Sequence, residues 1–363
     1  MKKIKADLLV IGAGSGGLVV ASGAAQLGAN VVLVEGDRMG GDCLNYGCVP
    51  SKALLAAANT AKQVNQSDKF GIKAEIVNLD YAEVMAYVEK KIAEIAPHDS
   101  QERFEEMGVT VLRDYAKFKD PKTVIVGNNE ITARRIVLAT GSRAKIPNIN
   151  GLDKVNYLTN ESLFDLRKSP RHLAIIGGGP IGVEMAQAHA RLGVKTTIIE
   201  INTIMQGYER RVVEPIKKSL INDGVNILEG TVVDRVEKDN SDIKLHLSSA
   251  NALVVSDLLI AAGRVPNIEK LALAEAGIKY NELGVVVDRN LQTTNRSVYA
   301  IGDLVDGPSF THTASYHAGI VLKKILFGLS STMQTIHIPQ VTYTDPEIAS
   351  VGLNFNDAVK RFG

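Results

Sequence analysis

A glycine-rich turn set between two apolar runs occurs twice in this chain, and the repetition constrains the fold more than any other feature. In the first copy the run 8–11 enters Gly12-Ala13-Gly14-Ser15-Gly16-Gly17, a helix-like stretch follows, and the run 31–34 ends at Glu35. In the second copy the run 173–176 enters Gly177-Gly178-Gly179-Pro180-Ile181-Gly182, a helix-like stretch reaches about residue 191, and the run 196–199 ends at Glu200. The acid stands 23 positions after the first glycine in both. A lone G-x-G-x-x-G is weak evidence, because glycine-rich turns are common. Strand, turn, helix, strand and acid together form the dinucleotide-binding fingerprint.

Each glycine of that pattern answers a separate steric demand. The first (Gly12, Gly177) permits the tight turn, the second (Gly14, Gly179) lets the backbone approach a pyrophosphate, and the third (Gly17, Gly182) lets helix and strand pack closely. The pyrophosphate sits on the helix N-terminus, where unpaired N–H groups and the helix dipole favour negative charge. The terminal acid accepts hydrogen bonds from ribose hydroxyls. Pro180 falls early in its helix, where its missing N–H costs nothing. Two such sites imply electron transfer between two bound nucleotides, and flavin with nicotinamide is the natural pair.

Composition narrows the class. At 363 residues and 45% apolar content the chain is long enough for two to three ordinary domains. Lys plus Arg (41) balances Asp plus Glu (40), so no basic excess exists to neutralise a phosphate backbone, and nucleic acid is not an expected partner. Two cysteines exclude a disulfide-stapled secreted scaffold and make the cytoplasm the default compartment. The basic start and apolar stretch at 1–25 imitate a signal peptide, but Gly12, Gly14, Gly16 and Gly17 would weaken a signal helix. No uninterrupted apolar run is long enough to span a membrane.

Between the repeats, 81–106 reads as helical, and 109–112, 123–126 and 135–139 read as strands, the last ending in Thr140-Gly141. Beyond the second repeat, 243–247, 258–262 and 298–301 are further strand-like runs, and the last enters Gly302-Asp303. A strand-end acid beside a glycine suits a polyol or a pyrophosphate, although a simple turn residue is the commoner finding.

Cys43 and Cys48 lie in Gly40-Gly41-Asp42-Cys43-Leu44-Asn45-Tyr46-Gly47-Cys48-Val49-Pro50-Ser51-Lys52. The C-x4-C spacing is not that of a zinc ribbon, and no second pair completes a metal site. On an ideal helix the two Cα atoms would stand about 8.6 Å apart, beyond the roughly 4.4 to 6.8 Å that a disulfide needs. A redox disulfide therefore requires a distorted backbone, for which Gly47 and Pro50 give latitude; buried inert cysteines are the alternative.

Over nearly its whole length the chain resembles the pyridine nucleotide-disulfide oxidoreductases, flavoproteins that include dihydrolipoyl dehydrogenase, glutathione reductase and mercuric reductase. The resemblance rests on the cysteine segment, on Ala139-Thr140-Gly141, on the second glycine motif ending in Gly182-Val183-Glu184, on Gly263-Arg264-Val265-Pro266-Asn267, on Ala300-Ile301-Gly302-Asp303, and on Tyr343-Thr344-Asp345-Pro346-Glu347. It implies an α/β fold of two Rossmann-like dinucleotide-binding domains followed by only the start of an α+β interface domain. The implied division is 1–145 for the first part of an FAD-binding domain and 146–266 for an NAD-binding domain. Residues 267–336 would complete the FAD-binding and central region, and 337–363 would begin a truncated dimerisation domain.

The same resemblance implies roles. Gly12, Gly14, Gly17, Gly41, Lys52, Thr140, Gly141 and Gly302 would bind FAD, with Glu35 on its ribose and Asp303 on its ribitol. Gly177, Gly179, Gly182, Glu200 and Gly263 would bind the nicotinamide cofactor. Cys43, Cys48, Lys52 and Glu184 would be catalytic: a disulfide between the cysteines opens when the flavin passes an electron pair to Cys48, Cys43 exchanges with substrate, and Lys52 pairs with Glu184 beside the flavin. Glu200 would repel a 2′-phosphate, and 201–205 holds no arginine, so NADH is expected over NADPH.

For substrate, Pro50-Ser51-Lys52 resembles dihydrolipoyl dehydrogenases and mercuric reductases rather than glutathione reductases. The resemblance implies a small disulfide or dithiol, or a lipoyl group, with mercuric-type metal-ion reduction or an inactive FAD-binding fragment as alternatives. The stretches 97–100 and 310–314 look more like bacterial members grouped with mercuric reductase. Family members continue past the position of Gly363 into an interface domain carrying H-P-x-x-x-x-E, whose histidine serves the partner's cysteines. None of His98, His172, His189, His246, His312, His317 or His337 matches it. The expectation is thus a homodimer for the full-length protein, and for this chain a truncated monomer, or weak association, lacking full activity.

Overall fold

The computed structural model describes residues 1–248 and 252–363, and its contacts divide the chain into two compact units. The first unit comprises Met1–Asn45, Ala93–Arg143 and Arg264–Ile338. The second comprises Tyr46–Ile92, Ala144–Gly263 and Pro339–Gly363.

The first unit is built on a mixed sheet ordered Thr110–Arg113, Val31–Glu35, Lys2–Ile11, Asn129–Leu138, Thr123–Val126, Ala116–Phe118. The neighbours of Lys2–Ile11 are parallel to it, in the registers Leu9 to Val32 and Leu9 to Ile136. Strand Asn129–Leu138 changes partner along its length. Its start pairs antiparallel with Thr123–Val126, and its end pairs parallel with Val298–Ala300. Strands covered on both faces read as continuous apolar runs rather than alternating ones, and Leu8 to Ile11, Val31 to Val34 and Ile136 to Leu138 are all buried. Helix Ser15–Gln26 packs on helix Thr311–Phe327 through glycine: a Cβ at Gly16 would stand 3.0 Å from Ile301 and 3.3 Å from Ala314.

The second unit holds a four-stranded parallel sheet ordered Val225–Leu228, Lys195–Ile199, His172–Ile176, Asp257–Ile260. A three-stranded antiparallel sheet, Val233–Asp239, Asp242–Leu247 and Leu253–Val255, belongs to the same unit. Helix Cys48–Asn65 packs on helix Pro180–Arg191, and Leu54, Leu55 and Ala58 join Val183, Met185 and Ala186 in one apolar cluster. This is the α/β fold with two Rossmann-like units that the family resemblance implied.

One expectation needs correction. The stretch 81–106 is not one helix but an α-helix Tyr81–Ile95, a 3-10 turn Ala96–Asp99 and a short helix Gln101–Glu106. Pro97 has no N–H to continue the first helix, and the Ser100 hydroxyl accepts from Arg103 N–H at 3.3 Å to cap the last one.

Candidate active site

In the first unit the turn after strand Lys2–Ile11 is shaped by steric necessity. Gly12 has φ +107°, and a Cβ there would lie 2.3 Å from the carbonyl oxygen of Ala139. A Cβ at Gly17 would lie 1.8 Å from Gly12 O, so only glycine lets helix Ser15–Gln26 start against its own strand. Gly14 faces open space, with Gly41 Cα at 3.9 Å as the nearest atom to an added Cβ. Gly41 has φ +59°, and its own Cβ would come within 2.7 Å of Gly14 Cα. The helix has no side-chain cap and no acid in its first turn, so its leading N–H groups remain available to an anion.

Glu35 ends strand Val31–Glu35 and closes this cradle. Its Oε2 accepts from Ala13 N–H at 2.6 Å and its Oε1 from Asp37 N–H at 2.8 Å. Burial pushes the Glu35 carboxyl above its ordinary range, against the pull of those two N–H groups. Each carboxylate oxygen keeps a lone pair for a ribose hydroxyl.

Further residues of the first unit converge on Asp303. Ser142 Oγ donates to Asp303 Oδ2 at 2.7 Å and accepts from Arg264 Nε at 2.7 Å, while Arg264 Nη2 lies 3.2 Å from Asp42 Oδ1. Burial raises the Asp303 carboxyl, and the Ser142 hydrogen bond offsets part of the rise. Thr140 Oγ1 donates to Asn267 O at 2.8 Å, Asn267 Nδ2 donates to Thr140 O at 2.9 Å, and Gly141 has φ +63°. Behind Gly302, whose φ is +67°, His317 Nδ1 accepts the Gly302 N–H at 3.2 Å. The neutral ring then carries its proton on Nε2, which has no partner among the described residues, as is also true of Thr313 Oγ1 one helical turn earlier. Sequence reading missed Ser142, Arg264's bridging and His317. Only the arginine's place in Gly263-Arg264-Val265-Pro266-Asn267 signalled any of them.

The second unit repeats the cradle bond for bond. Gly177 has φ +114° and its Cβ would lie 2.3 Å from Ala261 O; a Cβ at Gly182 would lie 2.0 Å from Gly177 O; nothing lies within 4 Å of one at Gly179. Helix Pro180–Arg191 again lacks a side-chain cap and a first-turn acid. Glu200 Oε2 accepts from Gly178 N–H at 2.7 Å and Oε1 from Asn202 N–H at 2.9 Å. Gly263, at φ +106°, follows strand Asp257–Ile260.

The same unit holds the lysine and glutamate singled out in sequence. Lys52 Nζ lies 2.9 Å from Glu184 Oε2, and the Glu184 side chain is only 7% exposed. Glu184 Oε1 accepts from Tyr343 N–H at 2.8 Å. Cys43 is half-buried in the short helix Gly41–Asn45, and Cys48 is exposed as the first residue of helix Cys48–Asn65. Tyr46 and Gly47 belong to neither helix, and Gly47 has φ −126° and ψ −106°. The straight helix that could not close a disulfide is absent.

A larger polar network on helix Pro180–Arg191 had no sequence signal. Arg191, whose side chain is 2% exposed, sets Nε 2.7 Å from Asp223 Oδ2 and Nη2 2.9 Å from Asp345 Oδ2, and Nη1 donates to Asn59. Among the described residues, no group of three or more His, Cys, Asp or Glu could hold a metal ion, and no helix is long and apolar enough to cross a membrane.

Uncapped helix N-termini, open space before Gly14 and Gly179, and acids bound to the turn give each unit the features of a dinucleotide cradle, and the residues fit FAD in the first unit and a nicotinamide dinucleotide in the second. Residues 6–318 match the family described as pyridine nucleotide-disulphide oxidoreductase. The chain belongs to that family, the flavoprotein disulfide oxidoreductases that use FAD and NAD(P)H. It is 34% identical over 360 residues to mercuric reductase of Bacillus cereus, covering 98% of this chain and 57% of that protein. It is 35% identical over 359 residues to dihydrolipoyl dehydrogenase of Geobacillus stearothermophilus, covering 96% and 76%. Among solved structures, the Cu(II) complex of the HOCl-induced flavoprotein disulfide reductase RclA of Escherichia coli matches with a TM-score of 0.87 and 27% identity, over 97% of this chain and 79% of that one.

Proposed function

We propose that this chain passes electrons from NADH through FAD to a Cys43–Cys48 disulfide and on to a small disulfide or a lipoyl group, in the manner of dihydrolipoyl dehydrogenase. The observation that carries the reading is the pair of cradles with matching hydrogen bonds, in a chain with one C-x4-C segment. FAD, when bound, supplies a two-electron carrier between a nicotinamide hydride and a disulfide.

The chain's residues do the rest. Glu35 and Asp303 hold the flavin nucleotide's hydroxyls, the N–H groups after Gly14 its pyrophosphate, and Glu200 the nicotinamide nucleotide's ribose. Preference for NADH is supported by the first arginines after Glu200 in the chain, which are engaged elsewhere: Arg210 with Glu214 at 3.1 Å and Arg211 with Glu209 at 2.6 Å. Lys52, fixed by Glu184, sets a positive charge beside the electron path. In the reducing direction the Cys43 thiolate attacks a substrate sulfur and releases one substrate thiolate. The Cys48 thiolate then displaces the second, closing the Cys43–Cys48 disulfide, and two protons complete the product thiols. The proposed compartment is the cytoplasm, and the homodimer is proposed for the full-length protein only.

The purified protein should carry FAD, and reduction by NADH should produce a long-wavelength absorption band from the Cys48 thiolate against oxidised flavin. Cys48→Ser should abolish the band, and Cys43→Ser should show it without reductant. A colourless protein after reconstitution with FAD sinks the reading. The similarity to mercuric reductases favours a second reading, metal-ion reduction, which predicts NADH oxidation that depends on added Hg(II). Flavin binding without turnover on any of these acceptors marks an inactive fragment.

A further inference from the structure

We propose that Tyr343 is a positioning residue for Lys52, holding its ammonium group against Glu184 through the face of the phenol ring. The inference rests on the reading of Lys52 and Glu184 as part of the electron path. Its geometry lies within one unit.

An ammonium group has three N–H directions to satisfy. Lys52 Nζ spends one on Glu184 Oε2 at 2.9 Å and one on Ser51 Oγ at 3.3 Å, and the Tyr343 ring centroid lies 4.3 Å from the same nitrogen. A cation that close to a ring face is attracted by the ring's quadrupole. The lysine side chain is 38% exposed and Tyr343 41% exposed, so water competes for the ammonium and the ring is the third protein group within reach of it.

The ring is held where it is by the same carboxylate. Tyr343 N–H donates to Glu184 Oε1 at 2.8 Å, so one buried Glu184 fixes both the ammonium and the peptide that carries the ring. Two residues on, the Asp345 N–H donates to Gln187 Oε1 at 2.7 Å, and Asp345 Oδ2 pairs with Arg191 at 2.9 Å. Glu184, Gln187 and Arg191 stand at i, i+3 and i+7 on helix Pro180–Arg191, one face of that helix. Segment 343–345 is thus anchored by backbone and Asp345 contacts that do not involve the phenol ring. Altering the ring leaves the anchors in place.

The test compares Tyr343→Leu and Tyr343→Met, which remove the π face, with Tyr343→Phe, which keeps it. In the apoprotein, acetylation of the Lys52 amine by an N-hydroxysuccinimide ester, followed by mass spectrometry of its peptide, should speed up roughly two- to fivefold in the Leu and Met variants. It should stay at the parent rate in the Phe variant. After FAD is bound, the two-electron reduction potential of the flavin should move to more negative values in the Leu and Met variants, because a displaced positive charge stabilises added electrons less, and Phe should restore it. Unchanged labelling and potential in either ring-less variant, with the parent's melting temperature, overturns the proposal. Failure of FAD to bind, with Lys52 labelling still responding to Tyr343, overturns the functional reading and leaves the Tyr343–Lys52 contact established. A potential that moves in Glu184→Gln but not in the Tyr343 variants does the reverse.

Discussion

Ser142 Oγ lies 2.7 Å from Asp303 Oδ2, and this hydroxyl is the donor that supports a half-buried carboxylate next to Gly302. Arg264 Nε holds the hydroxyl from its other side, also at 2.7 Å. Ser142→Ala removes the donor and leaves Asp303 with Arg264 Nε, 3.8 Å away, as a weaker partner. A lost hydrogen bond to a charged group costs about 1.5 to 3 kcal/mol. Flavin affinity should fall roughly ten- to a hundredfold, measured by quenching of FAD fluorescence as apoprotein is titrated. Parent-like affinity in the variant would show that Asp303 does not hold the cofactor.

His317 gives the first unit a pH dependence of defined sign. Burial holds its imidazole pKa down to about 4 from an ordinary 6.5, and Nδ1 must stay unprotonated to accept the Gly302 N–H. As pH falls from 6.5 to 4 the unfolded chain binds a proton that the folded chain refuses, so stability is lost through that window and is flat below it. From pH 7 to pH 5 the loss from this one group should be about 2 kcal/mol. His172 and His189, also lowered by burial, steepen the parent's slope in the same direction. His317→Asn keeps an acceptor for Gly302 and cannot titrate, so its urea stability should fall less than the parent's between these two pH values. The chain has no tryptophan, so far-UV circular dichroism is the probe. Equal slopes in parent and variant would refute the assignment.

The two cradles were legible because their demands are local and steric. A carbonyl oxygen about 2 Å from an imagined Cβ admits one residue type, and that residue recurs at Gly12 and Gly177 and at Gly17 and Gly182. The third strand of each cradle was not legible as a repeat. Ala139 N–H donates to Ile11 O and Ala261 N–H to Ile176 O, both at 2.8 Å, so 139–141 and 261–263 are equivalent positions. Their equivalence follows from strand register, and register depends on partners more than eighty residues away in sequence. Arg191 was invisible for a related reason: a buried ion pair with Asp223 looks in sequence like two ordinary surface charges. The break within 81–106 has a signal in the sequence itself, because Pro97 has no N–H to continue a helix.

Cofactor choice is tested at Glu200, with Gln as the cleaner substitution. Its two oxygens accept from Gly178 and Asn202 N–H groups, so Glu200→Ala would orphan both donors and confuse binding with folding. Glu200→Gln keeps one acceptor oxygen, removes the charge that repels a 2′-phosphate and weakens the ribose contact. NADH affinity should fall about ten- to a hundredfold while NADPH affinity holds or improves, narrowing the preference in rapid-mixing measurements of flavin reduction. If the parent protein is reduced equally well by both, Glu200 does not discriminate.

Gly179 and Gly182, three residues apart, should separate binding from folding. At Gly179 the backbone is extended, with φ −75° and ψ −176°, and nothing lies within 4 Å of an added Cβ. Gly179→Ala should therefore fold with the parent's melting temperature, yet set a methyl group in the space before the helix N-terminus that a pyrophosphate would fill. NADH should reduce its flavin at least tenfold more slowly at subsaturating concentration, about 1.4 kcal/mol, while dithionite reduces it at the parent's rate. At Gly182 an added Cβ would stand 2.0 Å from Gly177 O, a backbone atom that cannot rotate away. Gly182→Ala must push helix Pro180–Arg191 off its strand, opening the apolar contacts of Val183 and Ala186. It should lose about 1 to 3 kcal/mol of stability, the range for overpacking a well-filled interior, and reduction by NADH along with it. The opposite pattern, a destabilised Gly179→Ala beside a stable Gly182→Ala, would mean that the cradle's space belongs to the protein and not to a nucleotide.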